Sequence, residues 1–344
     1  MTKKDECYVM KEEPYPFFNL LMMPYASRAL LVSIIELDMF SKLHNNPLTL
    51  SEVCEVTGIK QRPAQALLRV FVALNLLHKR EDRYHISALS EEFFVRGKPF
   101  FMGDGLRIYL EIEKEVYEQF KNAVLTDSPQ IYEVDDVWEL HKEDGKKVSS
   151  FTRWMHVNSL VNGSSLVENF DFSNYNKILD VAGGSGGIPI MILSKNPHIT
   201  AMIFDIPSVC KEAEKTIAEY GLSDRVTTMT GDMFKDDLPT GTDVITLSRI
   251  LHDWPFQVGE TLLTKCFNAL PSNGVIIIIE SLIDDDIKPD QISPLLENLA
   301  MLIWTTGQQY TEKEISDMLK KIGFININIA PLTGYHHMIA AYKP

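Results

Sequence analysis

Paired cysteines, long apolar runs and an excess of basic residues are all missing from this sequence. The four cysteines, Cys7, Cys54, Cys210 and Cys266, fall at no paired spacing, which argues against a disulfide framework or a zinc cluster and fits reduced thiols. The apolar runs, such as ALLVSII and GVIIII, fall far short of the ~20 residues that a helical membrane span needs. The opening stretch MTKKDECYVMKEEPYPFF mixes both charges and has neither an apolar core region nor a small-residue cleavage site. No secretory signal is read there, and a cytoplasmic protein is expected. Lys plus Arg number 33 against 47 Asp plus Glu, a net charge of −14. That field repels phosphate backbones and anionic membranes, so neither nucleic acid nor a lipid surface is an expected partner. Internal repeats and low-complexity tracts are absent as well, which leaves no solenoid and no disordered tail to expect.

What is present is enough apolar material, 45% of 344 residues, for two domains of ~100–200 residues each. From Arg28 to about Phe94 the chain reads as short helices ending in a hairpin. SRALLVSIIELDMFSKL carries apolar residues at helical spacing, TLSEVCEVTG has a cap before Glu52 and Gly58 to end it, and QRPAQALLRVFVALNLLHK is a third helix with Pro63 in its first turn. REDRYHIS forms a small wing. This order is that of a winged helix, whose usual association is DNA. Its basic residues Arg62, Arg69 and Lys79 are offset by Glu52, Glu55, Glu81 and Asp82, which favours a buried dimerisation and substrate-lid module. The expected domains are 1–100, an all-helical winged-helix unit apart from its wing; 101–165, a helical connector; and 166–344, a ligand-binding domain.

From Lys177 the pattern alternates. KILDV, TAMIFD, RVTTMT, DVITLS and GVIIII are strand-like and are separated by helical segments, while NINIA and HHMIAAYK close the chain as a strand pair. The fold class expected is α/β, a doubly wound and mostly parallel seven-stranded Rossmann-like sheet with its ligand outside the carboxyl ends of the strands. Gly183, Gly184, Gly186 and Gly187 lie between the first strand and its helix. Alone, that loop fits either a nucleotide-type cofactor or a plain turn. Three carboxylates narrow the choice: Asp180, Asp205 and Asp232 stand at three strand ends. A carboxylate at the second strand end accepts from ribose hydroxyls, and one at Asp232 reaches an adenine amino group. An acidic pocket suits a cationic adenosine compound, and S-adenosylmethionine has both features.

These motifs, with SFTRWMHVNSL, LDVAGGSGG, FDIPSV, GDMF, ILHDW, NALPSNGVIIIIES and GQQYTEKEISDMLKKIGF, cover nearly the whole chain. Together they resemble the small-molecule O-methyltransferases of the plant caffeic acid and hydroxyindole type. The resemblance implies a methyltransferase domain behind an intertwined homodimer of winged-helix regions. It implies a base at His252, a flanking Glu280, and Gln309 where plant members carry a second glutamate. It maps the cofactor motifs onto Asp180, Ala182, Gly183, Gly184, Gly186, Asp205, Asp232, Met233 and Phe234. Arg249 is a further candidate for binding the cofactor, beside Ser248, which stands where plant members have lysine. Ala182 stands where the family has glycine, an exchange expected to be tolerable at negative φ. Met155, Asn298, Met301 and Trp304 are the candidates for the acceptor wall, each of them equally compatible with the core.

The chemistry is consistent with those residues. A phenol of pKa ~10 is protonated at neutral pH, and an imidazole of pKa ~6.5 is available to take its proton. HDW follows the apolar run because that run is a central strand ending at the ligand crevice. The adjacent His336 and His337 face opposite sides of a strand and make no metal site, and the proposed chemistry needs no metal. Three other readings stay open on sequence: the same fold catalysing cyclisation, decarboxylation or hydroxylation; methylation of nitrogen or a non-aromatic hydroxyl; and a winged-helix regulator.

Overall fold

The computed structural model describes residues 23–24, 26–106, 116–130, 145–284 and 292–344. The opening stretch with Cys7 and the acidic residues 131–144 lie outside the described residues. The chain divides into two compact units, Met1–Arg107 and Ile108–Pro344. Among the described residues no helix is long and apolar enough to cross a membrane.

In the first unit the stretch expected as one long helix is broken. It passes through a π-helical turn at Val32–Glu36, and Asp38 then adopts a left-handed φ of 50° before a short helix at Met39–Leu43. Asp is among the few residues that tolerate this conformation. β1 (Leu48–Thr49) leads into helix Leu50–Thr57, which Thr49 and Glu52 open as a reciprocal capping box and Gly58 closes. Helix Gln61–Ala73 follows. Its expected tail instead turns at Asn75, with φ 56°, into β2 (Leu77–Arg80) and its partner β3 (Arg83–Ile86). Because β1 also pairs with β3, the unit is not all-helical but carries a three-stranded sheet in the order β1-β3-β2. Met39, Phe40, Leu68, Phe71 and Leu77 are its fully buried centre.

The second unit holds the sheet. β4 (Lys177–Val181), β5 (Thr200–Asp205), β6 (Val226–Thr230), β7 (Val244–Ser248) and β8 (Val275–Ile283) run parallel. β9 (Tyr310–Thr311) lies parallel beside the end of β8, and β10 (Ile325–Pro331) and β11 (His336–Tyr342) close the edge antiparallel. The order β10-β11-β8-β7-β4-β5-β6 gives the seven expected strands, with β9 as an eighth that had no legible signal. Sequence order reverses between β4 and β7, so the ligand crevice opens at their carboxyl ends.

β8 shows why a continuous apolar run forms here. Its odd residues Val275, Ile277 and Ile279 pack into one layer, with Ile188 and Ile192 of helix Gly187–Lys195. Its even residues Ile276, Ile278 and Leu282 pack into the other, with Leu262 and Leu263 of helix Phe256–Ala269 and with Ile315 and Leu319 of helix Glu312–Ile322. Both faces are covered, so alternation is invisible in the sequence. Each side chain buried in full contributes ~1.5–3 kcal/mol. Glu280 belongs to the even set and is fully buried on the layer that carries Leu251.

Candidate active site

The glycine loop is built around Asp180. This residue faces Thr246 in register across β4 and β7, and the Thr246 hydroxyl donates to one of its carboxylate oxygens. The other oxygen is buried, has no hydrogen-bond partner among the described residues, and lies against Gly183, where a Cβ would come within 2.4 Å of it. Only glycine fits that approach. The Gly184 N–H donates to Asp205 Oδ2 at 2.9 Å and the Ile206 N–H to Oδ1 at 2.7 Å, tying the loop to the end of β5. Burial pushes Asp180 up to about 7 and Asp205 up to about 6. One buried and one half-buried acid at a single loop favour a cationic group beside them.

Asp232 behaves differently. Burial raises its carboxyl, but the Phe234 N–H, the Lys235 ammonium and the Lys235 N–H outweigh that and bring it below the usual range. Its Oδ1 accepts from the Phe234 N–H at 2.9 Å and thereby shapes the turn after β6. Met233 points into the core, and Phe234 meets Trp254 edge-on at 4.7 Å.

The second half of the site lies at the end of β7. Arg249 takes a left-handed φ of 57°, and a single 3₁₀ turn at Leu251–Asp253 delivers His252, only 3% exposed. Glu280 Oε1 accepts the Ile250 N–H at 3.0 Å and the Leu251 N–H at 2.8 Å, pinning that turn, while its Oε2 lies 3.4 Å from His252 Nδ1. Gln309 Nε2 is 3.1 Å from the same ring nitrogen. The opposite ring nitrogen, Nε2, is 3.8 Å from Asp253 Oδ1. Burial drives His252 down to about 3, helped by the Arg249 charge, and drives Glu280 up to about 8. One buried imidazole is thus approached at Nδ1 by Glu280 and Gln309 and at Nε2 by Asp253.

A family model for an O-methyltransferase domain matches residues 117–325, and one for an O-methyltransferase dimerisation domain matches residues 19–96. The chain belongs to the O-methyltransferase family. This O-methyltransferase is 33% identical over 293 residues to the 3-hydroxy-5-methyl-1-naphthoate 3-O-methyltransferase of Streptomyces sahachiroi, covering 85% of this chain and 84% of that one. It is 27% identical to the acetylserotonin O-methyltransferase of Bos taurus, over 94% of this chain and 97% of the other. Among solved structures it resembles human N-acetylserotonin methyltransferase in complex with SAM, with a TM-score of 0.83 and 25% identity over 98% of this chain and 99% of that one. The O-methyltransferase transfers a methyl group to a hydroxyl of a small molecule, and its first unit carries the family's dimerisation domain.

The structure of the O-methyltransferase brings His252, Glu280 and Gln309 together, and it brings Asp180, Asp205, Gly183 and Gly184 together. It corrects the expectation for Ala182, whose φ is +51° rather than negative. A left-handed alanine costs ~1–2 kcal/mol because its Cβ crowds the following carbonyl oxygen. Gly186 likewise takes a positive φ as the N-cap of helix Gly187–Lys195. The Arg249 guanidinium meets Glu297 and His336. On helix Ile292–Trp304, Asn298 Oδ1 accepts the Gln309 N–H at 2.8 Å, Met301 is buried and Trp304 is half-buried. Met155 is half-buried on helix Gly145–Asn169. Sequence reasoning missed Gly307, where a Cβ would stand 2.0 Å from the His252 carbonyl oxygen. It also left Asp253 without a role, although HDW displayed it. The motif GQQYTEKEISDMLKKIGF displays Gly307 but gives it no role, because its contact spans a long chain separation.

Proposed function

We propose that this O-methyltransferase methylates a phenolic hydroxyl of a small aromatic acceptor, with His252 as the general base. S-adenosylmethionine is its cofactor and supplies a methyl group already activated for displacement. The buried Asp180 oxygen and the close approach at Gly183 fit the cationic end of that molecule. Asp205 is the candidate for its ribose hydroxyls, and the Asp232–Phe234 turn for its adenine.

The observation that carries this reading is the placement of His252. Nδ1 faces the Glu280 carboxylate and the Gln309 amide. With the Gln309 amide turned so that its Oε1, otherwise unpartnered among the described residues, faces the ring, both it and Glu280 accept from a proton on Nδ1, and Nε2 then carries the free lone pair. Nε2 takes the acceptor's phenolic proton, and the ionised Glu280 stabilises the imidazolium that forms. Holding the hydroxyl in line contributes ~7–11 kcal/mol toward the barrier, and the base a further ~10²–10⁴-fold. An aromatic acceptor is supported by the hydroxynaphthoate in the name of one relative. The dimerisation domain supports a homodimer formed through the first unit, and free cysteines at Cys54, Cys210 and Cys266 support a cytoplasmic setting.

The test is incubation with methyl-labelled S-adenosylmethionine and a panel of hydroxynaphthoates, catechols, hydroxyindoles and hydroxyquinolines, read by mass spectrometry. A labelled aryl methyl ether, lost on His252→Ala while cofactor affinity by calorimetry holds, is the expected result. Unchanged kcat/KM in His252→Ala removes the histidine from the mechanism.

A further inference from the structure

Beside the His252 site lies a second buried polar cluster that the base chemistry does not use directly. Arg249 Nη2 is 2.6 Å from Glu297 Oε1, with the two side chains only 15% and 13% exposed. Arg249 Nη1 is 3.0 Å from His336 Nε2, and the His336 ring stacks on Tyr335 at 4.9 Å. Arg249 is one of the few non-glycine residues held at positive φ. Such strain persists only where the surroundings over-determine it. Burying a guanidinium and a carboxylate is likewise unfavourable unless their geometry is fixed.

The cluster connects to the base through one helix. Glu297 and Asn298 are neighbours on helix Ile292–Trp304. Glu297 is held by Arg249, one residue beyond the end of β7, while Asn298 holds the Gln309 main chain, whose side chain reaches His252 Nδ1. The helix is therefore tied to the end of β7 on one side and to the imidazole's orienting amide on the other.

We infer that Arg249 is a positioning residue for the His252 base: clamped to Glu297 and His336, its guanidinium fixes helix Ile292–Trp304 against the end of β7 and sets a stationary positive charge beside the imidazole. The inference rests on the reading of His252 as the base. Among the described residues, the groups that act on His252 and Glu280 are Arg249 and Asp253 from the loop after β7, Glu297 from the helix, Gln309 and Tyr310 from β9 and the residue before it, and His336 from β11. Of these, the Arg249 charge lowers both His252 and Glu280, and the Glu297 charge raises His252. The two partners of the clamp thus pull the imidazole in opposite directions.

Arg249→Met, Arg249→Lys and Glu297→Gln test this by two readouts. The first is the pH profile of kcat/KM with S-adenosylmethionine and the hydroxynaphthoate or other panel acceptor that is methylated. The second is the ¹⁵N spectrum of the histidine rings with S-adenosylhomocysteine bound, which needs no acceptor. Arg249→Met is expected to lower kcat about 10²-fold, as a misplaced base does, to leave cofactor affinity intact, and to move the ascending limb and the His252 titration upward. Glu297→Gln is expected to move the His252 titration downward. Arg249→Lys keeps the charge but not the fork, so it should hold the limb in place and restore part of kcat. A merely structural clamp would lower kcat in all three with no opposed shifts, and that result overturns the inference. Loss of cofactor binding in step with kcat overturns it too, because Arg249 would then belong to the cofactor site. If Arg249→Met does not fold, the near-isosteric Glu297→Gln decides by the direction of its shift. His252→Ala separates the two readings, since retained turnover there discards the base while the ring titrations still report on Arg249.

Discussion

The side-chain amide of Gln309 stands 3.1 Å from His252 Nδ1, on the same ring nitrogen that the Glu280 carboxylate approaches to 3.4 Å. The imidazole is therefore flanked by one acid and one neutral amide, where the plant enzymes it resembles carry two acids. An amide orients the ring by hydrogen bonding but adds no negative charge to favour the imidazolium.

Placing an anion there should change the pH dependence more than the cofactor site. Gln309→Glu is expected to raise the imidazole by roughly one unit and to raise Glu280 through like-charge repulsion. The ascending limb of kcat/KM should move to higher pH, with S-adenosylmethionine affinity unchanged by calorimetry. A limb that stays in place would show that Gln309 does not face the base in solution.

Glu280 sets where the wild-type limb lies. Burial holds its carboxyl up to about 8, and its ionised form is the one that stabilises the imidazolium. Turnover should accordingly rise through roughly pH 8, above the ~6.5 of a free imidazole. A rise centred near 6.5, followed by quench-flow over pH 5–9 to isolate the chemical step, would contradict this assignment.

Asp180 links pH to stability and to binding. Its folded carboxyl is raised to about 7, above the ~3.9 of an unfolded chain. The stability it contributes is therefore fully present below pH ~4 and is lost as pH rises through about 7. Asp180→Asn should flatten the fall in melting temperature between those values. For the wild type, S-adenosylmethionine binding at pH 6 should release protons, seen as a binding enthalpy that depends on the buffer's own ionisation heat. A buffer-independent enthalpy would place the cofactor's charge away from Asp180.

Gly307 should tolerate no side chain. The Cβ of Gly307→Ala would fall 2.0 Å from the His252 carbonyl oxygen and 2.5 Å from the Trp254 nitrogen, both backbone atoms. Overpacking of this kind costs roughly 1–3 kcal/mol, and here the strain falls on the base itself. A lower urea midpoint together with a drop in kcat is expected, whereas wild-type kcat would show that the loop relaxes freely.

Ala182 offers the opposite exchange. Ala182→Gly removes a left-handed alanine at φ +51° but adds backbone freedom to the unfolded chain, ~0.4–1 kcal/mol against ~1–2 kcal/mol of relieved strain. A net gain of up to about 1.6 kcal/mol in urea unfolding is expected, with cofactor affinity retained.

The sequence by itself determined the alternating second unit, its seven strands and the placement of Asp180, Asp205 and His252 at strand ends. Those features follow from local rules: apolar runs of strand length and glycines before a helix. It also carried the family resemblance, because ordered motifs are a property of the chain. What only the tertiary structure decided depends on residues far apart in sequence. Local periodicity did not predict β9 pairing with β8, the third strand of the first unit, or the left-handed turn at Ala182. Nor could it join Arg249 to Glu297, Asn298 to Gln309 and Gln309 to His252. Those contacts form where the end of one strand, a helix and a short returning segment converge. Burial then sets their charges: a sequence names a histidine and a glutamate, but only the packed layers around them push one down and the other up.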